Sequence, residues 1–165
     1  MVQVNVHTMA VDSRGQPVLV LKPIGEPPGQ GLILPIWIGL PEATAILVAV
    51  EATAAPPRPM SYDLMARLLD ASRARVDQVE VTKIEDGTFY ATITLVTPDG
   101  THLIDARPSD SIALAVRVGA RIFVDDEVLT AAGMEDEEAA EPTQEPDLEA
   151  FQEFLDKVDP DDFRG

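Results

Sequence analysis

Residues 75 to 107, RVDQVEVTKIEDGTFYATITLVTPDGTHLIDAR, alternate apolar and polar side chains over three stretches broken only by EDG and PDG. Period-two alternation marks half-buried strands, and Asp-Gly is a strong signal for a tight hairpin turn. Three strands joined by such short turns must run antiparallel, which excludes an all-helical or purely parallel architecture.

The first forty residues repeat the theme. VQVNVHTMAVD (2–12) sets Val2, Val4 and Val6 against Gln3, Asn5 and His7, and SRGQ turns the chain into PVLVLKPI (17–24). A glycine- and proline-rich loop, GEPPGQG, leads to LILPIWIG (32–39), the third strand. Pro41 then opens a helix, EATAILVAVEATAA, running to about residue 55 and closed by APPRP. A second helix, MSYDLMARLLDASRA, begins near Ser61, whose hydroxyl suits the cap; Leu64, Met65, Leu68, Leu69 and Ala71 form its expected buried face. After the meander come the helix PSDSIALAVRVG, ended by Gly119, the strand RIFVD and a helical turn, EVLTAAG. Residues 34–50 align in pattern with 101–117, Pro41 over Pro108 and Leu47 over Leu114, and 58–65 align with 121–128. The expected fold is therefore α+β: duplicated strand-strand-strand-helix units forming a mixed or antiparallel sheet covered by helices, with a groove between the halves.

Composition narrows the function classes. With 165 residues, 45% of them apolar, the chain can bury one ordinary core; with no cysteine it has no disulfide, zinc-thiolate site or thiol nucleophile. It has neither a basic start followed by a long apolar run nor a stretch of about 18 apolar residues, so a cytoplasmic protein without a membrane partner is expected. The net charge of -17 is uneven: residues 134–165 hold 13 of the 29 acids and two of the 12 bases. That segment, following a domain over 1–133, is expected to be largely disordered. Within it LEAFQEFLDKV (148–158) carries an amphipathic pattern able to dock on the body or on a protein partner. The remaining 16 acids against 10 bases still leave no basic footprint, which counts against tight, salt-driven nucleic-acid binding.

The most chemically loaded string is DARPSD (105–110). Asp105 and Arg107 share a strand face, Pro108 starts a helix, and Asp110 falls in its positive first turn. One account is architectural: Asp110 caps the helix and Arg107 forks onto Asp105. The other notes Glu42 in the first turn of the earlier helix and Asp63 after Arg58 and Pro59. Facing halves would bring Glu42, Asp63, Asp105 and Asp110 to one groove, with Arg107 and Arg58 among them. Asp105 and Asp110 would then hold magnesium or manganese and an arginine a phosphate, which suits phosphodiester hydrolysis. His7 and His102 are expected to be exposed or locally bonded, Trp37 to be core, and Gly25, Gly29 and Gly31 to form a loop without the lysine of a phosphate cradle.

IDARPSDSIALAVR, preceded by LPIWIGLPEATAI and TFYATITL and followed by RIFVDDEVL, resembles the bifunctional nuclease family over residues 2–133. The resemblance implies an α+β domain with internal duplication, homo-oligomers, and degradation of DNA and RNA. It carries the family's acidic and arginine pattern onto Glu42, Asp63, Asp105, Arg107 and Asp110. Ser61-Tyr62-Asp63-Leu64 stands where the family commonly has Thr-His-Asp-Leu. The missing histidine shifts any mechanism from general-base catalysis toward a metal-activated water, with Tyr62 and Arg58 left to position the phosphate. The competing class is a non-catalytic oligomeric scaffold or regulator in which the DARPSD corner is an ion pair.

Overall fold

The computed structural model describes residues 1–51 and 56–136. Its elements are β1 (Val2–Val11), β2 (Pro17–Pro23), β3 (Leu32–Trp37), α1 (Leu40–Val50), α2 (Ser61–Ala71), β4 (Arg75–Glu85), β5 (Thr88–Thr97), β6 (Gly100–Ala106), α3 (Pro108–Val118), β7 (Arg121–Val124), α4 (Asp126–Ala132) and β8 (Met134–Glu135). The expected helix at 148–158 and residues 52–55 of the first helix lie outside the described residues.

The strands form one mixed eight-stranded sheet in the order β6-β5-β4-β7-β1-β2-β3-β8. Both meanders are antiparallel as their turns require. At EDG, Asp86 and Gly87 both take positive φ, 49° and 77°, which a two-residue turn matched to strand twist demands. What joins the meanders is β7: α3 carries the chain back over the sheet, and β7 inserts parallel to β4 and antiparallel to β1. Gly119, at φ 69°, ends α3 before that strand.

Val4, Leu19, Leu21, Leu34, Val79, Val81 and Val124 from the strands meet Ile46 of α1, Ile112 of α3 and Val128 of α4 in one core. The helical side of this contact is built from small residues, Ala43 and Ala45 on α1 with Ser111, Ala113 and Ala115 on α3, all buried. Short side chains let α1 and α3 approach each other closely. That closeness brings the charged residues of the two helix starts together, because each helix brings its first turn to the same place.

Three local expectations are corrected. Of the expected buried face of α2, Leu69 turns inward but Leu64, Met65, Leu68 and Ala71 are exposed, and Tyr62 and Ala66 pack inward beside Leu69. The observed face is rotated by about one residue from the most apolar stripe, because the ring of Tyr62, buried under α3, anchors the helix on that side. Ser61 does not cap α2; its N-cap is Met60, whose N–H donates to Asp63 Oδ2 at 2.8 Å. Trp37, at the end of β3, is 52% exposed and its indole N–H donates to Asp12 Oδ2 at 3.1 Å. No helix among the described residues is long and apolar enough to cross a membrane.

Candidate functional site

Arg107 is the hinge of the DARPSD corner. It is the N-cap residue of α3 (φ -73°, ψ 146°), one residue beyond the end of β6. Leaving the strand there, its side chain does not stay beside Asp105 but swings toward the helix. Nε donates to Asp110 Oδ2 at 2.7 Å, and Nη2 donates to Asp110 Oδ1 at 3.2 Å and to Glu42 Oε1 at 2.8 Å. Glu42, on the facing turn of α1, is only 14% exposed in its side chain whereas Arg107 is 67% exposed. From α2, the Tyr62 hydroxyl donates to Asp110 Oδ1 at 2.5 Å. Three helix starts therefore converge on one charged cluster.

A second pair backs this cluster. Arg117, seven residues after Asp110 on α3, is 6% exposed in its side chain; Nε donates to Asp63 Oδ1 at 2.7 Å and Nη1 to the Ala45 carbonyl at 2.7 Å. Its guanidinium lies 5.6 Å from the Tyr62 ring centre. Tyr62 is thus held by its ring on one side and its hydroxyl on the other. Sequence reasoning missed Arg117; the available signal was its i, i+7 spacing from Asp110, which places both on one face of an apolar helix.

The electrostatics follow from these partners. Burial works to raise the Asp110 pKa, but hydrogen bonds from Arg107 and Tyr62 and the Arg107 charge together hold it below the usual carboxylate value. Burial, then the bond to Asp110, pushes the Tyr62 hydroxyl well above its ordinary range, so it stays protonated and serves as a donor. Hydrogen bonds from Arg117 and Met60 hold Asp63 low as well.

Of the expected site residues, Glu42, Arg107, Asp110 and Tyr62 are brought together, and Asp63 lies behind them through Arg117. Asp105 makes none of these contacts; it is exposed on β6, the edge strand. Asp110 does not cap α3 with its side chain either, because Arg107 and Tyr62 occupy its oxygens. Arg58 lies outside the cluster, in the wall of a neighbouring cavity. Asp105 and Asp110 do not combine as the expected pair of metal ligands. Among the described residues no three His, Asp or Glu side chains gather as a cation site. A hard cation needs carboxylate oxygens free of competing cations, and here Arg107 holds both Glu42 and Asp110. As arranged, the donor set does not fit magnesium or manganese.

Gly39, preceding α1, explains how Glu42 reaches Arg107. A Cβ at Gly39 would stand 2.4 Å from Glu42 Oε2. Gly39→Ala is therefore expected to displace the Glu42 carboxylate while costing only about 1 kcal/mol, since φ there is -76° and the clashing atom ends a flexible side chain. A double-mutant cycle with Glu42→Gln checks this: the cost of Glu42→Gln should nearly vanish in the Gly39→Ala background, and an equal cost in both would contradict it.

Fold and cluster together define an α+β domain whose arginine-carboxylate network sits where a strand hands over to a helix. The chain belongs to the bifunctional nuclease domain family, whose model matches residues 24–137. It is 41% identical over 157 residues to Uncharacterized protein MT1877 of Mycobacterium tuberculosis (strain CDC 1551 / Oshkosh), covering 92% of this chain and 91% of that one. The same figures hold for Uncharacterized protein Rv1829 of strain ATCC 25618 / H37Rv.

Proposed function

We propose that the domain hydrolyses phosphodiester bonds in DNA or RNA at the Glu42-Arg107-Asp110-Tyr62 cluster. The observation that carries this reading is the state of Arg107. Its Nε and Nη2 are fixed by two carboxylates, while the two N–H groups of Nη1 make no hydrogen bond among the described residues and the side chain is two-thirds exposed. A guanidinium clamped on one edge and open on the other presents a preorganised pair of donors to a phosphate oxygen. Arg107 stabilises the charge on the phosphoryl oxygens as water attacks the phosphorus and the P–O bond to the leaving nucleotide oxygen breaks, that oxygen taking its proton from solvent. Glu42 and Asp110 hold its orientation, and Glu42 is the carboxylate assigned to take the water proton. Tyr62 keeps Asp110 in place. No step is assigned to a metal, and the assay reads metal dependence directly.

The test is cleavage of single-stranded DNA and RNA by the purified chain with manganese, with magnesium and with EDTA, beside Asp110→Asn and Asp105→Asn. Asp110→Asn is expected to lose at least 10²-fold in rate and Asp105→Asn to stay within a few-fold of wild type. The reverse ranking would move the site to the β6 edge.

A second reading, a non-catalytic oligomeric scaffold or regulator, is favoured by one observation: α2 exposes Leu64, Met65 and Leu68 and the edge strand exposes Leu103. Equal, trace cleavage by wild type and Asp110→Asn would select it.

A further inference from the structure

The cavity beside the cluster gathers arginines that stand outside the ion pairs among the described residues. About 590 Å³ in volume, it is bounded by the Pro56–Pro59 segment, the end of α1 at Val48 and Ala49, and Asp63, Ala66, Arg67 and Arg117. Ten of the 12 lysines and arginines lie among the described residues, Lys157 and Arg164 falling outside them. Six of the ten stand in ion pairs: Lys22, Arg75, Lys83, Arg107, Arg117 and Arg121. The other four are Arg14, Arg58, Arg67 and Arg73, and two of them, Arg58 and Arg67, line this one cavity. Asp63 forms its hydrogen bonds with Arg117 and the Met60 N–H, so its single charge faces three arginines, Arg67 among them. Three arginines against one aspartate leave two positive charges in excess, in a chain of net charge -17.

The walls sharpen that charge. Val48, Ala49, Ala66 and three prolines are apolar, which lowers the local dielectric. Pro57 and Pro59 flank Arg58, and fixed proline φ angles stiffen the backbone that carries it. Such an arrangement suits an anion with several acceptor oxygens.

Its position relative to Arg107 selects among anions. The cluster uses Glu42 of α1 and Asp110 of α3; the cavity uses Ala49 of α1 and Arg117 of α3. Both pairs are seven residues apart, two helical turns or about 10 Å. A single phosphate cannot occupy both places, but two phosphates of one strand, more than one nucleotide step apart, can. We propose that the Arg58/Arg67 cavity is a second phosphate subsite, which holds a further phosphate of the same nucleic-acid strand beyond the bond at Arg107. This rests on the phosphodiesterase reading and adds to it a minimum substrate length.

Binding of a ten-nucleotide oligothymidylate, of a dinucleotide and of inorganic phosphate is measured over a range of salt in EDTA, with wild type and with Arg58→Gln/Arg67→Gln. Both arginines are exposed, so the double variant should keep the wild-type melting temperature. For the ten-mer, affinity should fall at least tenfold and the slope of log K against log salt should drop by about 1.4, two contacts at about 0.7 each. The dinucleotide, too short to reach both places, should bind far more weakly than the ten-mer. An unchanged ten-mer slope in the double variant, with cleavage still lost in Asp110→Asn, would overturn the subsite and leave the phosphodiesterase reading standing. Inorganic phosphate binding that the double variant abolishes, with no tighter binding of the ten-mer by wild type, would assign the cavity to a small free anion and overturn the strand. Absence of wild-type cleavage would remove the reading itself, and the subsite with it.

Discussion

Lys22→Met is expected to lower the stability of this domain by about 3–5 kcal/mol. Lys22 lies on β2 and Asp136 just beyond β8, and their side chains are 7% and 4% exposed. Lys22 Nζ donates to Asp136 Oδ2 and, at 2.7 Å, to the Pro27 carbonyl; the same carboxylate accepts the Gly29 N–H at 2.9 Å. The ion pair thus ties the 24–31 loop and β8 to β2 across 114 residues of sequence. Methionine fills the space of lysine but removes the lysine charge from beside a buried carboxylate, and desolvation of that charge makes the loss large. Lys22→Met/Asp136→Leu removes both charges and should recover much of the stability. Urea denaturation of wild type, single and double variants decides it. A single-variant loss below 1 kcal/mol would mean that water reaches the pair and screens it.

Arg107→Ala carries the largest expected effect on activity, a loss of 10²- to 10³-fold in phosphodiester cleavage. Its effect on stability should stay within about 1 kcal/mol, because the side chain is mostly exposed and exposed pairs contribute little. Arg107→Lys discriminates between charge and shape. A lysine keeps the positive charge but cannot fork onto Asp110 while also reaching Glu42 and a phosphate, so it should recover less than a tenth of the lost rate. Full recovery by lysine would show that Arg107 acts only as a point charge. A variant that unfolds would instead make the corner structural, and a melting curve recorded beside each assay separates the two.

Much of the fold was legible in the chain. The strands in 75–107 and 2–39, the EDG turn, Pro41 and Pro108 at helix starts and Gly119 at a helix end all follow from signals within a few residues, and the structure keeps each of them, although β2 is buried on both faces and the edge strand β6 is exposed on both, where alternation suggests half-buried strands. The content of the corner was partly legible too: Glu42, Tyr62, Arg107 and Asp110 were all singled out. Their pairing was not. Period-two geometry put Arg107 beside Asp105, but the residue lies one step past the strand, where the chain turns and the side chain follows the helix.

Local rules in the sequence thus determined which segments are strands and helices and which residues carry the charge. Only the tertiary structure decided that β7 joins the two meanders, that Lys22 meets Asp136, and that Arg107 bonds Glu42, 65 residues away. Each of these is a contact between distant segments. The last of them forms where the small residues of α1 and α3 allow close packing over the sheet, and no periodicity within a single segment encodes which distant partner any segment will meet.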